Sequence, residues 1–260
     1  MNSVDGSLRT VRLLHPYPAL LLSERRRRYL VISDIHIGFE EKYAEEGVHI
    51  QGSIEATMGT LSALLEEHKP DELIILGDVK YSVDRISYLE WQEVPRFFEG
   101  LPRKQKITVI PGNHDGILAP LLPRNVELLA KSSLLVGKSG LIHGHTNVSS
   151  ELLPAKRLIM GHVHPRYSRK ESPLSGRSIW LLLKVEKKYL FKEAENESLD
   201  IYVLPAFNKE LTWAGFANMR GNIISPIIRK VSVHNGIQEA VIMTLEGDIL
   251  GGLEALEYVL

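Results

Sequence analysis

The sequence predicts an α/β protein: a parallel sheet with crossover helices in the first half and a portion richer in strands in the second. Three observations support this. Apolar, β-branched runs alternate with stretches of helical period up to about Asp115, the pattern of strands joined through crossover helices. Five of the apolar runs end abruptly in Asp, Asn or His. Beyond His164 the helical period fades and short strand-like runs separated by turns take over.

Composition narrows the class. The chain has 260 residues, 44% apolar and 24% charged, enough for one large domain or two small ones with a sizeable core. A formal charge of -1 gives no global argument for a nucleic-acid partner and leaves only a local basic face open. There is no cysteine, so neither a disulfide framework nor a thiolate metal site can form. The amino terminus lacks a charged segment followed by an apolar one, and Ala19 to Leu22 is too short to span a bilayer, so the expectation is a cytoplasmic protein with no membrane partner. No segment rich in Gly, Ser and Pro forces a boundary. Residues 1–260 are read as a single domain, with a core at about 29–168 and a β-rich extension at about 169–260.

Thr10 to Leu14 and Ala19 to Leu22 read as short strands around a proline-containing turn. Arg25 to Arg28 reads as a solvated hairpin turn, with a nucleic-acid or partner contact as the sharper alternative. Tyr29 to Ser33 is the first core strand. From Phe39 to about His68 the pattern is helical: Gly47 interrupts it, and Ile54, Met58, Leu61, Leu64 and Leu65 recur at helical spacing. His49 and His68 within it read as surface residues. Glu72 to Leu76 is the second strand, Val79 to Asp84 a loop, and Ile86 to Phe98 a helix whose Trp91, Val94, Phe97 and Phe98 read as core. Ile107 to Ile110 is the third strand, stopped by Pro111-Gly112. Val126 to Leu129 and Ser133 to Val136 are further candidates, and Gly140 to Ile142 and Arg157 to Met160 follow. After His164, residues 178–185, 201–204, 230–233 and 240–245 read as strands packed on the first sheet.

The five abrupt endings share a chemistry. Ser33 is followed by Asp34-Ile35-His36, Leu76 by Gly77-Asp78, and Ile110 by Pro111-Gly112-Asn113-His114-Asp115. Ile142 is followed by His143-Gly144-His145, and Met160 by Gly161-His162-Val163-His164. Open α/β sheets place ligands at the carboxyl ends of their strands, so the five loops are expected on one rim. Asp34 and His36 can turn toward one cation, Asp78 can offer an oxygen to each of two, and His162 and His164 can reach neighbouring ions. Gly77 and Gly112 let the backbone approach a ligand closely. Imidazole, carboxylate and amide suit Mn, Fe, Zn or Ni. Two divalent ions about 3.5–4 Å apart can clamp a phosphate through an in-line displacement. Singly, Asp-x-His and Gly-Asp are weak signals and the other motifs stronger; the ordered set of five makes chance a poor explanation.

Together these motifs, across residues 34–164, resemble the signature of the calcineurin-like metallophosphoesterase superfamily. The resemblance implies a four-layer αββα sandwich of the metallo-dependent phosphatase type. It implies that Asp34, His36, Asp78 and His164 hold one divalent ion and Asp78, Asn113, His143 and His162 the other. Manganese is the expected metal, with iron, zinc or nickel as alternatives. It also implies that His114 is a general acid facing the leaving oxygen, oriented by a neighbour for which Asp115 is the candidate; imidazole titrates in the range this needs. His145 is a candidate for an outer position or for the phosphate. His15 and His234 lie in no motif and receive no role.

Within the superfamily, Ser33-Asp34-Ile35-His36-Ile37-Gly38-Phe39-Glu40 and Leu204-Pro205-Ala206-Phe207-Asn208 are similar to the small archaeal and bacterial phosphoesterases related to the SbcD nuclease. That implies a single-stranded or structured nucleic-acid substrate, a helicase partner and a homodimer. Lys80 and Arg166, directly after metal motifs, are candidates for a second phosphate. Asn208 is a candidate for the substrate mouth, where a packed turn is the favoured alternative. The leading expectation is binuclear metal-dependent phosphodiester hydrolysis. A phosphomonoesterase or small-molecule cyclic phosphodiesterase is the first alternative, and a non-catalytic scaffold the second. Near-zero charge and the lack of an aromatic stripe weigh against a nuclease; the complete ligand set and His114 weigh against a scaffold.

Overall fold

The protein is described from a computed structural model covering residues 10–45, 47, 50, 52–212 and 225–260. His49 lies outside the described residues. The first sheet contains β1 (Thr10–Leu13), β2 (Leu20–Glu24), β3 (Arg27–Ile32), β4 (Glu72–Ile75), β5 (Ile107–Val109) and β6 (Val126–Leu128), paired in that order. The first three are antiparallel; β3 to β6 are parallel. Parallel neighbours need crossovers. Between β3 and β4 the crossover is α1 (Phe39–Glu45) with α2 (Ser53–His68), between β4 and β5 it is α3 (Tyr88–Glu99), and between β5 and β6 a loop with one 3-10 turn (Ala119–Leu121).

The second sheet contains β7 (Ser133–Val136), β8 (Ser139–Ile142), β9 (Arg157–Met160), β10 (Ile179–Glu186), β11 (Ser198–Val203), β12 (Ile237–Thr244) and β13 (Ile249–Gly251). Its spatial order is β13-β12-β10-β11-β9-β8-β7. The late strands pack on the first sheet as expected, and they do so as members of one sheet with β7 to β9. The free edge of β9 takes β11 in parallel, so the late strands complete the sheet that already carries the last two metal motifs.

Alternation along each strand assigns its faces. Leu20, Leu22, Val31, Ile74 and Leu76 meet Leu141, Ile159, Trp180 and Leu204 between the sheets. Leu30, Ile32, Leu73 and Ile75 point outward onto Leu61, Leu64 and Phe97 of α2 and α3. Leu181, Leu183, Ile201 and Val203 cover the far side with Ile227, Ile228 and Val231 of α4 (Pro226–Val233). The result is helix, sheet, sheet, helix, with the central strands β4, β5 and β8 buried along their whole length and β3 and β9 along most of it.

Two local expectations fail, each for a visible reason. Residues 230–233 are helical because Ser225 caps Ile227 N–H, Pro226 starts the first turn, and Ile227, Ile228 and Val231 share a buried face. Cap and burial outweigh the β preference of Val231 and Val233. In α3, Val94, Phe97 and Phe98 are core as expected, but Trp91 is 57% exposed and Tyr88, one turn earlier, 76%.

The basic run begins at the β2–β3 turn, where Arg25 has φ 57°. Arg27 then meets Glu72 at 3.5 Å, and Arg28 Nη2 donates to Lys69 O at 2.9 Å. It marks the amino end of β3, opposite the end that leads into Asp34. Among the described residues no helix is long and apolar enough to cross a membrane.

Candidate metal centre

Three ligand loops leave the first sheet after β3, β4 and β5, and two leave the second after β8 and β9. The expected single rim is therefore the shared edge of two stacked sheets. The first two loops interlock: Asp34 N–H donates to Gly77 O at 3.1 Å, and His36 N–H to Asp78 O at 2.9 Å. Five of the ten non-glycine residues with positive φ among the described residues are here: Asp34 (57°), His36 (51°), Asp78 (52°), His162 (68°) and His164 (46°). Such conformations cost on the order of 1–3 kcal/mol each and persist where surrounding bonds enforce them. The glycines make the approach possible. A Cβ on Gly77 would lie 2.7 Å from both Gly112 Cα and His143 Nδ1, and one on Gly112 would lie 2.6 Å from Asp78 N.

The side chains gather in three overlapping sets: Asp34, His36 and His164; His36, Asp78 and His114; and Asp78, His143 and His162. Asp34 Oδ1 is 2.9 Å from His164 Nε2 and 3.9 Å from His36 Nε2. Asp78 Oδ2 is 3.5 Å from His36 Nε2 and 3.3 Å from His143 Nε2. Asn113 joins through Oδ1, 3.3 Å from His143 Nε2. The Nδ1–H of His143 donates to Leu76 O at 2.6 Å, which turns Nε2 toward Asp78 and Asn113.

These residues fit a pair of cations. Asp34 Oδ1 is fully buried and faces His164 Nε2 at 2.9 Å, an anionic oxygen and an imidazole nitrogen turned to one point. The Nε2 atoms of His36 and His164 face each other at 3.4 Å, close enough for both to reach one cation between them. Burial alone would raise the Asp34 carboxyl, but His164 and His143 bring it down to about 2. Burial likewise opposes ionisation of Asp78, yet His143 and His36 hold it well below the carboxylate range. Burial pushes His36 down to about 3, and burial with His143 pushes His162 to about 4, leaving neutral imidazoles of the form a metal requires. His143 is the converse: burial would strip its proton, but Asp78 and Asp34 raise it to about 9. The field that holds a proton there would hold a cation.

His114 lies on the open side, its side chain 21% exposed and Nε2 3.9 Å from Asp78 Oδ2. Its Nδ1 is bonded to the carbonyl of Tyr81. Asp115, expected to orient that ring, instead accepts backbone N–H groups from Asp78 (2.7 Å), Gly112 (2.9 Å) and Val79 (3.0 Å). It ties the second loop to the third, and burial together with the Asp78 charge pushes its carboxyl up to about 6.

Of the outer candidates, only His145 stays beside the ligands, its ring 5.3 Å from His143, with Nδ1 buried and unpartnered. Lys80 is 0% exposed and donates to the carbonyls of Ser82 and, at 3.0 Å, Arg85, so its ammonium serves the loop and not a phosphate. Arg166 Nη2 donates to Leu211 O at 2.5 Å. Asn208 is 2% exposed; its Nδ2 donates to Ile35 O at 3.0 Å and its Oδ1 accepts from Glu210 N–H at 3.1 Å. The packed turn favoured there is what forms, and it braces the first ligand loop. Asn208→Ala strands these groups and is expected to lower stability by about 1–3 kcal/mol; an unchanged thermal midpoint would refute the brace.

Sequence reasoning missed Tyr81 and Glu90. The first acts through a backbone carbonyl, which leaves no mark on the sequence. The second could have been found as the last member of Ser87-x-x-Glu90, a capping box at the start of α3.

With this geometry established, comparison with known proteins is decisive for the family. The profile of the calcineurin-like phosphoesterases matches residues 27–204, from the start of β3 to just beyond β11. The chain belongs to the calcineurin-like phosphoesterase family. Members of this family use divalent metals, which accords with the clustered carboxylates and imidazoles. No curated protein sequence matches the phosphoesterase. Among solved structures it is similar to nuclease MPE of Pseudomonas putida, with 20% identity over 91% of this chain and 94% of that one and a TM-score of 0.56. This likeness shows the shared fold. The phosphoesterase YfcE from E. coli aligns over 87% of this chain and 98% of its own at 14% identity and a TM-score of 0.39.

Proposed function

We propose that this phosphoesterase hydrolyses phosphodiester bonds with two divalent cations, manganese first among them, and that its substrate is single-stranded or structured nucleic acid. The observation that carries the reading is Asp78, shared by two ligand sets with His114 on its open side. Asp34, His36, Asp78 and His164 would hold one cation, and Asp78, Asn113, His143 and His162 the other. When bound, the pair supplies Lewis acidity at the phosphoryl oxygens and activates water at neutral pH. The remaining work belongs to the chain. His114, carrying a proton on each nitrogen as the imidazolium, gives the one on Nε2 to the departing oxygen while its Nδ1–H stays on the Tyr81 carbonyl, which keeps the ring aligned. His145, with its unpartnered Nδ1, meets a non-bridging phosphate oxygen. Residues 1–260 act as one domain, because β10 to β13 complete the sheet that bears His143, His162 and His164. The name of the P. putida neighbour supports a nucleic-acid strand as substrate.

The test compares bis(p-nitrophenyl) phosphate with p-nitrophenyl phosphate under manganese, iron, zinc and nickel, followed by labelled DNA and RNA oligonucleotides. Faster turnover of the diester with manganese, together with oligonucleotide cleavage, is expected. Preference for the monoester with intact oligonucleotides would move the assignment to a phosphomonoesterase. Two bound ions and no turnover of any ester would leave a scaffold.

A further inference from the structure

We propose that the buried Lys80 and Glu90 side chains position His114 by holding the loop whose carbonyl carries its ring. The inference rests on the reading of His114 as the general acid. Apart from a bridge between Ile37 and Lys80, the loop from Val79 to Ser87 belongs to no strand or helix, so its peptide groups need partners from elsewhere. Tyr81 N–H donates to Ile37 O at 2.9 Å, and Tyr81 O receives His114 Nδ1. The next residue is gripped from both sides. Ser82 O accepts from Lys80 Nζ, and Ser82 N–H donates to Glu90 Oε1 at 2.5 Å. Lys80 reaches on to Arg85 O at 3.0 Å, and the second oxygen of Glu90 accepts Ser87 N–H at 2.7 Å.

Both side chains are 0% exposed. Burying charge is costly, and burial does push the Lys80 ammonium below the ordinary lysine range, with the Glu90 carboxylate opposing. Two apolar residues would fill the same space without that cost. What the charges add is a fixed place for peptide groups 82, 85 and 87, and so for the carbonyl at 81. Lys80 and Glu90 act through Tyr81 on His114 and are positioning residues.

The test uses Lys80→Met and Glu90→Gln, each checked for a wild-type-like melting transition. Histidine-selective nitrogen NMR on the metal-free protein, with His114→Ala to assign the signal, reports the Nδ1–H tautomer held by Tyr81. Both variants are expected to lose that signal to a mixture of tautomers. With manganese, kcat should fall about 10-fold on a diester with a poor alkyl leaving group but within about twofold on a p-nitrophenyl diester, which needs little protonation, with KM and metal content unchanged. An unaltered His114 signal in both variants overturns the proposal, as do equal losses on the two esters. Should the wild type cleave neither ester, the diester reading fails, and the NMR comparison alone decides this inference.

Discussion

Asp78→Ala is expected to abolish binding of both cations. The carboxylate lies between two imidazole groups, with Oδ2 at 3.5 Å from His36 Nε2 and 3.3 Å from His143 Nε2. Its other oxygen accepts His114 N–H at 3.0 Å, so the same side chain also anchors the acid-bearing loop. Removing a residue that only orients a ligand commonly costs 10–100-fold in affinity; loss of a shared ligand should cost each ion at least about 100-fold. Metal analysis after equilibration in micromolar manganese should find two ions per chain in the wild type and fewer than one in the variant. Two ions still bound to Asp78→Ala would refute the bridge. Asp78→Asn separates the two roles, since an amide oxygen can still accept His114 N–H while the charge is gone. It should keep the loop and lose the metals.

His114→Ala should do the reverse, keeping two ions while turnover of a diester with a poor leaving group falls about 10²–10⁴-fold. The ring has the geometry for such a loss: Nδ1 is occupied by the Tyr81 carbonyl, and Nε2 is left for substrate on the exposed side of the cluster. On a p-nitrophenyl ester the loss should be small, because that leaving group departs without a proton. Undiminished turnover of the poor ester would reject the acid. A variant that also loses metal would make His114 a ligand, which its place in the set with His36 and Asp78 geometrically allows.

The limits of sequence reading are visible at particular residues. Asp34, His36, Asp78, His143, His162 and His164 were legible because each follows directly on an apolar run, and the end of a strand is a local event. Lys80 misled because a lysine after a ligand looks the same in sequence whether it faces solvent or turns inward; only the packing of the loop against Glu90 distinguishes the two. Trp91 misled because its helical spacing with Val94 and Phe98 fits a buried stripe, while the actual orientation of α3 leaves it at the surface. Residues 230–233 misled because the cap that decides their helix lies five residues upstream at Ser225.

By itself the sequence determined the strands that lead into the five loops, the loops themselves and the chemical identity of the groups they carry, since apolar runs and residue type are written locally. Only the tertiary structure decided that the loops come from two sheets, that Asp115 clasps backbone amides instead of a ring, and that a carbonyl at Tyr81 aims His114. Strand order and burial are set by contacts between segments more than a hundred residues apart, such as Asp34 with His164, and no local pattern encodes them.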